Sequence, residues 1–266
     1  MGIVNINDDS FSGDGTLDTD KALARAREMI AAGADMIDVG AESARTNREA
    51  ISASAEIARL TPFVTALKSD PRPPLISVNT WRPEVTREIL PLGIDLLNDI
   101  GALPDDSNAR LCAKHACALL IMHSVGRPKV SHTGQGYQDV WSALLSFFQE
   151  KIELAVAAGV PRDGIVIDPG IDFAKQRDDN LTIFRELGRL QAFGLPVLLP
   201  VSRKTVIGEV LGIDAPAARD AGTVACIAAG LRRGAQIFRV HNVAAAVEAI
   251  RVLDPISRKP STSAPA

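Results

Sequence analysis

Eight short apolar runs alternate with longer stretches of helical periodicity from one end of the chain to the other. Such alternation is typical of parallel strands joined by crossover helices. Eight strand–helix units closed into a barrel need about 250 residues, and this chain has 266. The predicted strands cover residues 2–5, 35–40, 75–80, 94–99, 118–123, 164–168, 196–201 and 236–241.

Helical segments separate these strands, and several of them end in glycine, as helix C-termini often do. The predicted helices cover residues 20–32, 54–68, 83–91, 105–114, 138–158, 180–193, 217–233 and 244–253. An open, doubly wound sheet fits the same alternation, but eight complete units favour closure. We therefore expect an α/β chain that forms a single-domain (β/α)8 TIM barrel over residues 1–256. The polar, Pro/Ser-rich tail at 257–266 is expected to be disordered.

Composition argues against several classes of protein. Hydrophobic residues make up 46% of the chain and charged residues 23%, which suits a large core and not a disordered chain. The formal net charge of −3 argues against a nucleic-acid partner. No apolar run approaches the ~20 residues of a membrane span, and the first residues do not resemble a secretory signal. We expect a cytoplasmic protein whose three cysteines, Cys112, Cys117 and Cys226, are small core residues in a reducing compartment.

Polar residues follow the predicted strands at the point where each strand ends. In a barrel those ends open on one face, where the loops build the active site. Any one of these residues could simply cap the next helix, but eight at the same end of the strands indicate a functional rim. They are Asn5, Asp38, Asn79, Asn98, His123, Asp168, Ser202 and His241.

Two of these positions suit a flat heterocycle that carries an amide and an amino group. Asn98 ends the fourth predicted strand, and Asp168 ends the sixth. A carboxylate accepts hydrogen bonds, whereas a carboxamide both donates and accepts them. The Asp168-Pro-Gly sequence is also compatible with an ordinary turn, so this motif alone does not decide between the two interpretations.

Basic residues follow the last two strands. Ser202-Arg203-Lys204 comes directly after the seventh, and Arg239 and His241 end the eighth. Each basic side chain alone could be a solvated surface charge. The adjacent loops seven and eight of a barrel often form an anion site, so together they indicate a phosphate pocket.

Long polar loops follow the first two strands, at 5–15 and 41–47. They could be flexible connections, but their position over the barrel mouth favours lids that exclude water. Asn5 could reach a Mg²⁺ shared with a diphosphate, since hard cations prefer oxygen ligands. The sequence contains neither a His/Cys cluster with zinc spacing nor a Gly-x-Gly-x-x-Gly motif after a strand.

These motifs together resemble the dihydropteroate synthase family over almost the whole chain. The matching segments are 5–15, 37–40, 76–81, 98–99, 122–123, 168–175, 202–204 and 239–243. The resemblance implies a Mg²⁺-dependent enzyme of folate biosynthesis that joins 6-hydroxymethyl-7,8-dihydropterin diphosphate to 4-aminobenzoate. The family is the target of sulfonamides, and a homodimer is expected from the resemblance alone.

The resemblance also implies a role for each matching residue. Asp168, Lys204 and Asn79 would carry the catalytic chemistry. The pterin would contact these three together with Asn98, Met122 and Phe173. Arg239, His241 and Ser43 would bind the diphosphate, and Asn5 would face the metal. Ser202, Arg45 and Phe11 would contact the aminobenzoate, and Asp9 would belong to the first lid.

Four departures from the family pattern bear on activity. Asn79 and Asn242 stand where the family usually has acidic residues. Asn7-Asp8 replaces the usual Thr-Pro of the first lid, and Ala44-Arg45-Thr46 replaces Thr-Arg-Pro in the second. Two alternatives therefore stay open: a catalytically silent pterin-binding paralogue, and a pterin-dependent methyltransferase on the same barrel. The Ser-Arg-Lys motif and the basic end of strand eight favour the synthase.

Overall fold

The computed structural model describes residues 1–7, 15–43, 49–130 and 134–257. All eight predicted strands are present and parallel: β1 Gly2–Asn5, β2 Met36–Gly40, β3 Leu75–Asn79, β4 Leu96–Asp99, β5 Ala118–Met122, β6 Ile165–Asp168, β7 Leu198–Leu199 and β8 Ile237–Phe238. Strands β1 to β6 pair in sequence order, and β7 pairs with β8.

The two sheets close into the predicted barrel through backbone hydrogen bonds. Ile167 N–H donates to Pro196 O at 3.0 Å and joins β6 to the segment before β7. Ile3 N–H donates to Val240 O at 3.0 Å and joins β1 to the segment after β8. The predicted (β/α)8 fold is thus confirmed.

Strands β7 and β8 are shorter than the predicted segments 196–201 and 236–241. Proline has no N–H to donate to a sheet, and prolines stand on either side of β7 at 196 and 200. Next to β8, the side-chain oxygen of Gln236 accepts from Val197 N–H at 2.8 Å, where a strand would place a backbone carbonyl.

Nine α-helices occur in the described ranges, one more than predicted: α1 Thr19–Ala31, α2 Ala53–Lys68, α3 Pro83–Ile89, α4 Ser107–His115, α5 Val140–Ala157, α6 Arg177–Glu186, α7 Thr205–Leu211, α8 Asp220–Arg232 and α9 Val243–Ser257. The prediction missed α7. It also extended 180–193 through a 3-10 segment, Leu187–Phe193, and began 217–233 in another, Pro216–Arg219.

Helix α7 escaped prediction because its N-terminal cap comes from a distant loop. The Asp172 carboxylate accepts from Thr205 N–H at 2.5 Å and from Val206 N–H at 3.3 Å. A cap 33 residues away in the sequence leaves no local signal. The predicted tail 257–266 lies outside the described residues, except that Ser257 ends α9.

The barrel interior is filled by alternate residues of adjacent strands. Leu96, Leu120, Val166 and Leu198 form one buried cluster, and they belong to β4, β5, β6 and β7. Side chains along a strand alternate between its two faces. The residues two positions further along β4, β5 and β6 therefore also face inward, at the C-terminal mouth. They are Asn98, Met122 and Asp168.

The larger part of the core lies between the strands and the helices. Its largest side chains include Trp141, Phe63 and Phe148, each at most 1% exposed. As predicted, Cys112 and Cys117 are buried in this layer, and Cys226 packs against it. None of the helices in the described ranges combines the length and the apolar composition of a membrane span.

Candidate active site

An open cavity of about 280 Å³ lies at the C-terminal mouth of the barrel. It brings together residues from widely separated loops. The predicted site residues that line it are Asn5, Ser43, Asn79, Phe173, Ser202, Lys204, Arg239 and His241. Glu42, Ile100, Asp172 and Thr205 also line it, although the sequence had not indicated them.

Asn98, Met122 and Asp168 lie deeper in the mouth and are at most 3% exposed. Met122 shares the barrel-interior cluster with Ile100 and Phe173, both of which line the cavity. The remaining predicted residues, Asp9, Phe11 and Arg45, lie outside the described residues.

Two buried carboxamides on neighbouring strands offer acceptor oxygens. Asn79 and Asn98 are partners in the β3–β4 register. The Nδ2 atom of Asn98 donates to Asp38 Oδ1 at 3.1 Å, which fixes the orientation of that amide. In the part of the chain that the structure describes, neither Oδ1 atom has a hydrogen-bond partner. Because a buried polar atom without a partner is costly, both oxygens suit the N–H groups of a ligand.

Asp168 supplies a buried carboxyl group. Burial raises its pKa to about 6, while the Gly170 N–H and the positive charges of Lys204, Lys175 and Arg239 oppose that rise. Gly170 N–H donates to Asp168 Oδ1 at 2.7 Å. Only glycine fits there, because φ is +67° and a Cβ would lie 1.9 Å from His123 O. Asp168 is thus held in a fixed orientation and stays ionised at neutral pH.

Lys204 stands beside the predicted pterin residues. Its ammonium donates to Ile171 O at 2.8 Å and lies 4.7 Å from the centre of the Phe173 ring. Withdrawal from water lowers the pKa of Lys204, and the nearby Asp172 and Asp168 charges oppose that shift. A cation over an aromatic face forms a favourable pair, so Lys204 and Phe173 fix each other at the mouth.

Lys175, for which no role was predicted, lies in the loop between β6 and α6 with its side chain buried. Its ammonium donates to the carbonyls of Gly170 and Phe173 at 3.0 and 2.9 Å and lies 2.9 Å from His123 Nδ1. Burial lowers the pKa of Lys175 to about 7. Burial and the Lys175 charge lower that of His123 to about 3. A neutral His123 can accept from Lys175, and together they hold the loop that carries Phe173.

The basic side of the cavity is fixed by two further pairs. Arg239 Nε donates to Asp38 Oδ2 at 2.7 Å, and Asp38 is fully buried. The Ser202 hydroxyl lies 2.8 Å from His241 Nδ1 and accepts from His241 N–H at 3.0 Å. The predicted anion residues are therefore oriented by neighbours, and Ser202 contacts His241 directly.

Arg203 and Asn242 do not line the cavity, and both bind Asp220. Arg203 donates to both carboxylate oxygens of Asp220, at 2.8 and 3.1 Å, and Asn242 Nδ2 donates to Oδ2 at 3.0 Å. These bonds lower the pKa of Asp220, with Arg203 as the main cause. The loop after β7 is thereby tied to the start of α9.

The donor set at the mouth bears on the expected metal. Among the residues that the structure describes, no three His, Cys, Asp or Glu side chains come together to hold an ion. Asn5 lines the cavity with one half-buried carboxamide. Mg²⁺ prefers oxygen ligands and commonly keeps several waters, with substrate phosphates and a few protein groups supplying the rest. The residues present therefore suit an ion that arrives with a phosphorylated ligand.

Comparison with known proteins agrees with this chemistry. A family model described as pterin binding enzyme matches residues 1–241. The chain is 38% identical to the dihydropteroate synthase of Bacillus subtilis, over 97% of this chain and 88% of the relative. The Clostridium difficile dihydropteroate synthase structure, obtained in the presence of pteroic acid, matches with a TM-score of 0.88 and 37% identity, covering 97% and 96% of the two chains.

A further structure, that of the Thermus thermophilus enzyme in complex with 4-aminobenzoate, matches with a TM-score of 0.86 and 37% identity. The match covers 96% of this chain and 93% of the other. The closed (β/α)8 barrel and the match to the pterin binding enzyme family over residues 1–241 together define a barrel enzyme of the pterin-binding class. Within that class, the chain belongs to the dihydropteroate synthase family.

Proposed function

We propose that the protein condenses 6-hydroxymethyl-7,8-dihydropterin diphosphate with 4-aminobenzoate to give 7,8-dihydropteroate and diphosphate. One observation carries the proposal above all. The barrel mouth joins buried acceptors for a heterocycle, on β3, β4 and β6, to a basic cluster formed by Lys204, Arg239 and His241. A substrate with a flat polar ring at one end and a diphosphate at the other matches both halves of this site.

In this proposal the pterin ring binds at the buried acceptors on β3, β4 and β6. Asp168 and the Oδ1 atoms of Asn79 and Asn98 accept from its N–H groups. Met122 and Phe173 pack against its ring. A ligand without those N–H groups would leave buried oxygens unpaired, which accounts for selectivity.

The diphosphate is placed against Arg239, His241 and Ser43, with Asn5 toward its Mg²⁺. When bound, this ion neutralises phosphate charge and so makes diphosphate a better leaving group. The 4-aminobenzoate is placed beside Ser202, with Arg45, Phe11 and Asp9 contributed by the two predicted lids.

The proposed reaction is a largely dissociative substitution. The bond between the pterin methylene and the diphosphate oxygen breaks, and its electron pair leaves with diphosphate. The amine lone pair then forms the new C–N bond, and the nitrogen passes one proton to the released diphosphate or to water. Positive side chains stabilise the departing anion, while Asp168 and the Asn79 dipole stabilise the developing cation. The protein thus contributes electrostatics and alignment, with no covalent intermediate.

The main competing proposal is a catalytically silent paralogue that binds pterins. Asn79 favours it, because the carboxamide lacks the negative charge that the family usually places there. The relatives reported above are dihydropteroate synthases, which favours the synthase over a pterin-dependent methyltransferase. An assay of the natural protein with pterin diphosphate, 4-aminobenzoate and Mg²⁺ separates these functions. Formation of dihydropteroate supports the synthase, and pterin binding without turnover supports the paralogue.

We also propose a cytoplasmic homodimer. An apolar groove lies between α6, α7 and α8, and its lining includes Phe184, Val210 and Leu211. Val210 and Leu211 are 50% and 49% exposed, and an exposed apolar patch commonly marks an interface. A second copy of this chain is the proposed occupant. Light scattering should give a dimer for the natural protein and a monomer for Leu211→Glu, and a monomeric natural protein would contradict the proposal.

A further inference from the structure

Lys129, in the loop after β5, reaches back to the loop after β2. Its ammonium donates to the carbonyl oxygens of Ser43 and Glu49, both at 3.1 Å. It also pairs with the Glu42 carboxylate at 3.1 Å. The side chain of Lys129 is only 10% exposed, so these bonds are shielded from competing water.

One ammonium therefore holds both flanks of residues 44–48. The same Glu42 carboxylate accepts from Ile51 N–H at 3.2 Å and is paired with Arg82. Arg82 in turn donates to Ile51 O at 3.0 Å. The base of the loop is thus closed by bonds from two cations and one carboxylate.

The backbone of Lys129 is itself unusual, with φ at +63°. This left-handed conformation is disfavoured for a residue with a side chain and persists only where surrounding contacts compensate. Among the described residues, the hydrogen-bond and ion-pair partners of the Lys129 side chain all lie in the loop after β2. The left-handed backbone at Lys129 therefore accompanies a side chain that binds the loop after β2.

Charge balance gives Lys129 a second effect. Glu42 and Glu56 both pair with Arg82, and Glu42 also pairs with Lys129, so two negative and two positive charges offset each other. Glu42 lines the cavity. Without Lys129, this group would carry a net negative charge beside a pocket proposed to bind diphosphate, and like charges repel.

We propose that Lys129 is a positioning residue that sets the affinity of the cavity for the diphosphate group. It does so by fixing Ser43 and by offsetting the Glu42 charge. The identity of the ligand rests on the proposed function above, whereas the effect of Lys129 on the loop does not depend on it.

Calorimetry on Lys129→Met tests the inference with two ligands. The affinity for pterin diphosphate with Mg²⁺ should fall by ~10-fold to ~100-fold, as expected when a binding group is misplaced. The affinity for 6-hydroxymethylpterin, which lacks the diphosphate, should stay within ~2-fold. Lys129→Arg keeps the charge and the donors and should recover most of the loss.

Hydrogen exchange supplies a readout that needs no ligand. The Ile51 amide, which donates to Glu42, should exchange at least ~10-fold faster in Lys129→Met than in the natural protein. Lys68→Met is the matched control, because Lys68 pairs with Asp95 at 2.7 Å and is absent from the cavity lining. It should change neither the Ile51 exchange nor the diphosphate affinity.

Unchanged Ile51 exchange together with unchanged diphosphate affinity in Lys129→Met would overturn the inference. An equal loss for both pterins would also overturn it, since Lys129 would then act on the whole site. Faster Ile51 exchange in a protein that binds no diphosphate would keep the loop role of Lys129 and refute the proposed function instead. If Lys129→Met does not fold, Lys129→Arg is compared with the natural protein instead, and an Ile51 amide that is no longer protected in folded Lys129→Arg overturns the inference.

Discussion

Asp38 on β2 and Arg239 after β8 are 201 residues apart in the sequence, and their side chains meet at 2.7 Å where the barrel closes. One Asp38 oxygen accepts from Arg239, and the other accepts from Asn98 and Ser77. A single buried carboxylate therefore connects Arg239, in the proposed diphosphate site, to Asn98, in the proposed pterin site. A change at Asp38 is expected to disturb both.

Asp38→Asn tests this connection through stability. The variant leaves the Arg239 charge without its partner, and removing one partner of a buried pair strongly destabilises a protein. Arg239 is 21% exposed, so we expect the lower end of the usual range, about 3 kcal/mol. Urea unfolding measures the difference.

The control for this experiment is Asp70→Asn, which breaks the exposed ion pair with Arg27. Water screens such surface pairs, so the control should lose much less stability than Asp38→Asn. Equal losses in the two variants would show that the Asp38–Arg239 pair contributes no more than a surface contact.

Magnesium pyrophosphate tests the anion side in the absence of a pterin. It should raise the melting temperature of the natural protein, since a ligand that binds only the folded state stabilises by about 2.7 kcal/mol at 100 times its Kd. Arg239→Ala should lose most of this shift, whereas Arg27→Ala should keep it. The comparison requires matched ligand concentrations, and an equal shift in both variants would place the diphosphate elsewhere.

The deep site residues could be predicted because the relevant information is local. Asn98 and Asp168 each stand at the end of a short apolar strand, and strand alternation turns both toward the barrel interior. On β5 the same pattern indicates His123, and Met122 is expected only from the family resemblance. Closure then brings them to one mouth. The alternation of apolar runs with helical stretches also predicts the number of strands. The polar residues at the C-terminal ends of the strands predict which end of the barrel carries the site.

The residues that hold the site in place could not be predicted in this way. Lys175, Lys129 and Asp172 act through atoms of distant segments: His123 Nδ1, Ser43 O and Thr205 N–H, respectively. A lysine that binds carbonyls has the same sequence appearance as a solvated lysine. Only the folded positions of the partners distinguish them.

Asp168 should give pterin binding a characteristic pH dependence. Its pKa, raised from 3.8 to about 6, means that the ligand-free folded protein takes up a proton as pH falls through 6. Because the folded protein binds this proton more tightly than the unfolded chain does, protonation of Asp168 stabilises the fold. This contribution to the free energy of unfolding is complete below pH 3.8 and is lost as the pH rises through 6. Because the protonated carboxyl is a poorer acceptor, pterin affinity should fall by up to ~10-fold per pH unit below 6.

Asp168→Asn should remove that pH dependence and lower the affinity at pH 7.5 by at least ~10-fold, since a hydrogen bond to a charged group contributes about 1.5–3 kcal/mol. Calorimetry between pH 5 and 8 measures both effects. The same pH dependence in Asp168→Asn would assign the titration to another group, and unchanged affinity at pH 7.5 would remove Asp168 from the site.

Asn242→Asp restores the acidic residue that is usual in the family and should nevertheless destabilise this chain. Asn242 donates to Asp220, and an acid would lose that bond of about 1.5–3 kcal/mol and repel the carboxylate. It would keep the cap on Ala245 N–H and gain about 0.3–1 kcal/mol from the helix dipole. We expect a net loss of about 1 kcal/mol in urea unfolding at pH 7. Asn242→Ser, which keeps a capping oxygen without a charge, should be the milder change, and a stabilised Asn242→Asp would contradict the assigned role.

Asn79→Asp separates an active synthase from a silent paralogue. The Oδ1 atom of Asn79 is buried without a partner, so the amide already offers the pterin an acceptor. The ionised Asp168 supplies a negative charge in the same mouth. A carboxylate at position 79 would add charge at the cost of desolvation, which raises its pKa. The two effects oppose each other, and turnover should change by less than ~100-fold, or about 2.7 kcal/mol in the barrier.

Asn79→Ala is the matched control, because it removes the acceptor without adding charge. It should weaken pterin binding by at least ~10-fold and should impair turnover more than Asn79→Asp does. Steady-state assays on the natural protein and both variants give the comparison. A natural protein that binds pterin without forming dihydropteroate, and that gains turnover with Asn79→Asp, would establish the silent paralogue, since the charge of Asp168 alone would then be insufficient.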